Sequence, residues 1–145
     1  MVRRQVELLK PKYTHIIIDT GGRDTSSQRA ALFVSDRYLL PFAPRSYEIW
    51  TLSKVLSLLS EVQDVRTSPL QTFSFLNKAD TRGVDNAEAM EVLRENEELN
   101  FVDFPVVNRK AFATAASKGL SVFEYTPVDE KAVTELNLLF SHVTQ

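Results

Sequence analysis

The chain contains no cysteine and only four glycines among its 145 residues. Without thiols, disulfide scaffolds and thiolate metal sites are excluded, and a reducing compartment is permitted. The glycines stand at positions 21, 22, 83 and 119, no two of them five apart, so the sequence has no G-x-x-x-x-G-K phosphate loop. No apolar run approaches the roughly 18 residues that cross a bilayer. The opening MVRRQVELLKPKY carries basic residues but no apolar core of signal-peptide length. Seventeen Lys and Arg against nineteen Asp and Glu leave a net charge of −2, which gives no global attraction to nucleic acid. The expectation is a soluble, cytoplasmic protein with no membrane partner. A composition of 43% hydrophobic and 25% charged residues suits a single domain over residues 1–145.

What is present is organised around Thr14 to Arg45. Ile16-Ile17-Ile18 reads as a buried strand, Tyr13 to Thr20, ending on Asp19-Thr20-Gly21-Gly22. A helix follows through Ala30, Ala31, Leu32 and Val34, capped by Thr25 or Ser26 and closed near Asp36. Tyr38 to Phe42 is a second strand, left through Pro41 and Pro44. Two apolar strands joined by a helix form a βαβ unit, in which polar residues at the carboxyl ends of the strands face the ligand crevice. An Asp there can hold Mg²⁺, because a hard cation takes oxygen ligands. The glycines beside it allow backbone N–H groups to approach a phosphate. The competing reading is a strand that ends in an Asx turn relieved by two glycines.

Downstream, Ser46 caps an amphipathic helix with an inward stripe of Ile49, Leu52, Val55, Leu56 and Leu59, and Trp50 falls off that line as a rim residue. Gln71 to Leu76 is a third strand leading to Asn77-Lys78-Ala79-Asp80. An Asn amide that donates and accepts at once, followed by a carboxylate, is an arrangement that reads a purine edge; a plain turn leading to Gly83 is the alternative. An acidic, solvated helix from Asp85 to about Asn96 turns Ala87, Met90 and Leu93 or Val92 inward. Phe101 to Val107 is a fourth strand. Asn108 caps a helix from Arg109 to Lys118 that Gly119 closes, and Leu120 to Tyr125 is extended. A last helix starts at Val128 or Asp129, with Val133, Leu136, Leu139, Phe140 and Val143 as its stripe. Val2 to Leu9 fits a helix and a strand alike.

The run IIIDTGGRDTSSQRAALFVSDRYLLPFAPRSYEIWTL resembles the Walker B and switch II region of ParA/MinD-type partition ATPases, in the ParA branch. FLNKADTRG, VVNRKAFATAASKGLSVFEY and VDEKAVTELNLLF fit the same family's C-terminal half. The resemblance implies an α/β, truncated P-loop NTPase-like fold: a doubly wound, mostly parallel sheet flanked by helices, lacking the phosphate-loop strand. It implies ATP and Mg²⁺ as cofactors, with Asp19, Thr20, Gly21, Gly22 and Asn77 at the nucleotide and Asp19 toward the metal, the site being incomplete. In the family the glycine-loop strand lies between the Asp19 strand and the Leu39 strand. Its absence leaves two edges that must pair with each other, with N-terminal residues or with another chain.

A triphosphate loses most of its electrostatic stabilisation without that loop and its lysines, so no ATP hydrolysis by the chain alone is expected and no catalytic residue is assigned. The functions in view are a truncated ParA-like DNA segregation protein, a non-catalytic interaction module derived from one, and a GTPase fragment. Partners implied are a homodimer or an intact ParA-like protein, and non-specific DNA through Arg109, Lys110 and Lys118. Residues 105–145 hold those three cations and Lys131 against Glu124, Asp129, Glu130 and Glu135, for zero net charge, so solvated helix-end cations are the competing account. Arg23 and Asp24 contact a phosphate or the partner subunit, or lock their own loop; Arg29 and Arg45 line a dimer face or serve surface or capping roles. His15 and His142 are given no metal or catalytic role.

Overall fold

The computed structural model describes residues 1–21, 26–44, 49–82 and 84–145, without the side chains of residues 49–51. They form two compact units, one of Met1–Tyr38 with Ile49–Gln71, the other of Leu39–Glu48 with Thr72–Gln145.

The first unit is helical. Val2–Leu9 forms α1, Ser26–Val34 forms α2 and Ile49–Asp64 forms α3. Only Val6 is buried on α1, whereas α2 buries Gln28, Ala31 and Leu32. Leu32 packs with Leu58 and Val62 of α3, with Tyr38 and Leu70 against them. The inward line of α3 is therefore Leu52, Leu58 and Val62; the expected Val55, Leu56 and Leu59 are half-buried. The expected stripe is corrected beyond Leu52, because contact with Leu32 draws Leu58 and Val62 inward. Arg66 closes the unit: its Nη1 donates to the carbonyls of Leu32 and Phe33 at 2.7 and 2.6 Å, satisfying acceptors that the end of α2 leaves open. Thr25 and Ser46, expected as caps, lie outside the described residues.

The expected strand at Tyr13 to Thr20 is a correction. Residues 15–20 are neither helix nor strand, and Ile17 is 93% exposed. The physical reason is that β-branched residues favour a strand only where a neighbour closes the ladder, and residues 2–9, which were open to either state, are helical. No described strand pairs with this run.

Most residues of the sheet belong to the second unit, and the class is α/β: three strands in the order β1-β2-β3, with helices around them. β1 is Arg37–Phe42, β2 is Gln71–Ala79 and β3 is Val106–Val107, and β2 and β3 run parallel. The β2 strand extends three residues beyond its expected end at Leu76. The fourth strand expected over Phe101 to Val107 survives only as a Ser74–Phe101 bridge and the Val106–Val107 pair. Pro105 between them has no N–H to give the ladder.

Pro41 inside β1 has a clear place. The Asp36 carbonyl accepts from the Gln71 N–H at 3.1 Å, so backbone groups at even positions face β2. Odd positions, Pro41 among them, face outward. A proline there removes no ladder bond, and β1 is an edge strand.

Helices α4 (Val84–Glu95), α5 (Lys110–Ala116) and α6 (Glu130–Val143) complete the unit, with a 3₁₀ turn at Glu97–Leu99. Phe75, Val102, Val106, Leu139 and Val143 form the main core, and Ala115, Val122 and Ala132 a second cluster. Asp129 caps α6 by accepting from the Ala132 N–H at 3.1 Å. Gly119, at φ +70°, ends the turn after α5 in the left-handed region that favours glycine. Several details differ from expectation. Ala89 rather than Ala87 is buried on α4, and Phe140 is 42% exposed. Arg109 rather than Asn108 is the N-cap of α5, without a side-chain cap bond. Leu120 to Tyr125 is a series of turns, held by Glu124 Oε2 accepting from the Ser121 N–H and hydroxyl. The acidic face of α4 is solvated as expected.

Two predictions follow from burial. The Tyr38 phenol is pushed above the usual tyrosine range by burial, partly offset by its hydrogen bond to Gln28. A raised folded pKa means that the unfolded chain loses this proton first, so stability falls as pH rises from about 10 through the folded value. Tyr38→Phe should flatten that alkaline loss, as read by urea unfolding at rising pH. Separately, the Ser74 hydroxyl is fully buried without a partner. Ser74→Ala should raise stability by about 1 kcal/mol in urea unfolding, the opposite of what a hydrogen-bonded serine would give.

Candidate functional site

The described residues form a cavity of about 540 Å³ in the second unit, at the carboxyl ends of β2 and β3. Its walls are apolar, with Phe75, Phe112, Leu136 and Leu139 prominent, and Asn77 and Lys78 stand on its lining. This position follows from chain direction: parallel strands end together and leave a crevice there.

A bulge shapes the polar side. Asn77 pairs with Val106 and Ala79 with Val107, so Lys78 is the extra residue on β2. Its φ of +55° is in the left-handed region, uncommon for a lysine and costing about 1 kcal/mol. Bulges re-aim neighbouring side chains and gather beside binding sites. Asn77 is therefore a strand residue beside a bulge. The strand end proper is Ala79, whose carbonyl accepts from the Asn108 N–H at 2.9 Å. Asp80 sits in a reciprocal turn: its N–H donates to Asn86 Oδ1 at 3.1 Å, and its carbonyl accepts from Asn86 Nδ2 at 2.7 Å.

Opposite the bulge, Arg109 is fixed by Glu135 of α6. Arg109 Nη2 donates to Glu135 Oε1 at 2.5 Å and Nε donates to Oε2 at 3.3 Å. The Val107 N–H donates to the same Oε2 at 3.1 Å. Both side chains are 19% exposed, so water screens the pair weakly. Glu135 raises the Arg109 pKa above its ordinary value through that hydrogen bond, against a smaller opposing effect of burial. Sequence reasoning offered Arg109 as a phosphate-contacting cation, whereas its side chain is occupied in holding β3 to α6. The signal for Glu135 lay in the helix register, since it sits one residue before Leu136 on the stripe. Lys110 and Lys118 are exposed.

The other sequence candidates are elsewhere. Asp19 and Gly21 are exposed and Thr20 half-buried in the irregular segment of the first unit; Gly22, Arg23 and Asp24 lie outside the described residues. Arg29 Nη1 donates to Glu61 Oε2 at 2.6 Å, and Arg45 is not described. His15 lies beside the Thr14 hydroxyl, and His142 meets Phe73 and Phe104 edge-on. Among the described residues no group of three or more acidic or histidine side chains could hold a metal ion. Asp19, expected toward Mg²⁺, is exposed.

No protein-family model and no curated protein matches the sequence. No helix among the described residues is long and apolar enough to cross a membrane.

The Glu135 carboxylate serves three donors at once. Glu135→Ala should cost about 2 kcal/mol in urea unfolding, since Arg109 and the Val107 N–H both lose their acceptor. A loss below about 0.5 kcal/mol would place the pair among ordinary surface ion pairs instead.

Proposed function

We propose that the chain is a ParA-like partition protein of the DNA segregation class that engages the base of an adenine nucleotide and does not hydrolyse ATP. The observation that carries this reading is the apolar cavity at the carboxyl ends of β2 and β3, with Asn77 on its lining. A flat heterocycle suits Phe and Leu walls, and one amide can donate to and accept from the edge of adenine. The Asp19-Thr20-Gly21-Gly22-Arg23-Asp24 block supports the same family, as does a parallel α/β sheet, which in this reading is a doubly wound, P-loop NTPase-like fold without its phosphate-loop strand.

Hydrolysis is not part of this reading because this sequence has no G-x-x-x-x-G-K loop to hold a triphosphate. In this reading the protein works in the cytoplasm with a second copy or an intact ParA-like protein, and Lys110 and Lys118 remain as cations for non-specific DNA. A non-catalytic interaction module derived from the same family is the second reading, favoured by the exposed Ile17. A GTPase fragment gains nothing from Asp80, which is built into a turn with Asn86.

Calorimetric titration with adenosine, ADP, ATP and GTP tests the proposal. Adenosine and ATP should bind within about threefold of one another, because the phosphates find no cradle, and GTP about tenfold more weakly. Asn77→Ala should erase the preference for adenine. Absence of binding by every adenine compound, or sustained ATP turnover, would refute it.

A further inference from the structure

Alternation along β2 accounts for part of the cavity wall but not for all of it. Phe75 and Asn77 share one face of the strand, and residue 78 belongs by the same rule on the other. Yet Asn77 and Lys78, consecutive in the chain, both line the cavity. The bulge brings this about: Lys78 is the extra residue between the Asn77–Val106 and Ala79–Val107 pairs, held at φ +55° where a lysine is uncommon. A strained backbone here sets a cation on an apolar wall.

Among the described residues that line the cavity, one positive charge is left over. Arg109 also stands on the lining, but Glu135 neutralises it from α6 through two hydrogen bonds. Lys78 is exposed and enters no ion pair formed among the described residues. Beside it the cavity of about 540 Å³, walled by Phe75, Phe112, Leu136 and Leu139, has room for a sizeable apolar body.

We propose that this cavity binds an apolar monocarboxylic acid, its hydrocarbon body against the Phe and Leu walls and its carboxylate at Lys78. One uncompensated positive charge matches a monoanion. A lysine on an apolar wall lays its methylenes along that wall and keeps its ammonium at the water, where it meets the acid's head. Asn77 and Asn108, on the same lining, supply amide donors for the carboxylate's remaining lone pairs. This ligand goes beyond the nucleotide reading and does not depend on it; where both hold, the acid and the nucleotide base exclude each other from the cavity.

Calorimetric titration of the whole chain with hexanoate, octanoate and decanoate tests the proposal, with 1-octanol as the uncharged control and circular dichroism to verify each variant's fold. Affinity should rise about tenfold for every two methylenes added, the increment for burying that much hydrocarbon. Lys78→Asn, a residue that accepts the left-handed backbone, should weaken octanoate about fivefold and leave octanol unchanged. Lys78→Arg should bind octanoate as the parent does. No saturable binding of octanoate or decanoate, an affinity indifferent to chain length, or a Lys78→Asn variant that treats octanoate and octanol alike would each overturn the proposal. Adenosine, titrated separately, bears on the nucleotide reading alone, so failure of one reading is distinguishable from failure of the other.

Discussion

The closure of the backbone ladder governs this structure. A parallel sheet keeps its strands only where each finds a neighbour for its N–H and C=O groups, and here three strands do so. β2 has a partner on each side and is the most buried, with Ser74 and Leu76 at 0% and 1% exposure. β1 tolerates Pro41 because its outer side closes no ladder. No described strand pairs with the isoleucine run, and its intrinsic preference is overruled. A triplet of β-branched residues is worth a few tenths of a kcal/mol each in strand preference, less than the cost of ordering an unpaired backbone.

The candidate site depends on the same constraint. Where β2 and β3 end together they open a cavity, and the bulge at Lys78 is placed where the register between them shifts. Glu135 then ties β3 to α6 through Arg109 and the Val107 N–H, so the wall opposite Asn77 is held by charge-assisted hydrogen bonds as well as by apolar contact. This gives a built apolar pocket with Asn77, Lys78, Asn108 and Arg109 as the polar members of its lining.

Elements whose signal is local were legible in the sequence. Asp129 announces α6, Gly119 the end of α5, and the Leu39-Leu40 run with Pro41 and Pro44 a short strand. The α/β class followed from the same alternation. What was not legible depends on partners distant in sequence. Ile16 to Ile18 reads as a strand until its neighbour is sought, and the stripe of α3 shifts to Leu58 and Val62 because Leu32 packs there. Asn77, expected at a nucleotide, stands on the cavity lining, but the bulge beside it was not legible, since a left-handed lysine has no sequence signature. Arg109 was misjudged for a related reason: a cation at a helix start looks solvent-facing until the carboxylate 26 positions away is placed beside it.

The central claim is that the isoleucine run finds no ladder partner among the described residues. Amide hydrogen exchange at high dilution tests it most directly, comparing residues 15–20 with those of β2. The account predicts near-unprotected exchange across the run while Ser74 to Leu76 remain strongly protected. Protection of Ile16 to Ile18 comparable to β2 in the dilute monomer would contradict it, because the run would then belong to a sheet within its own chain.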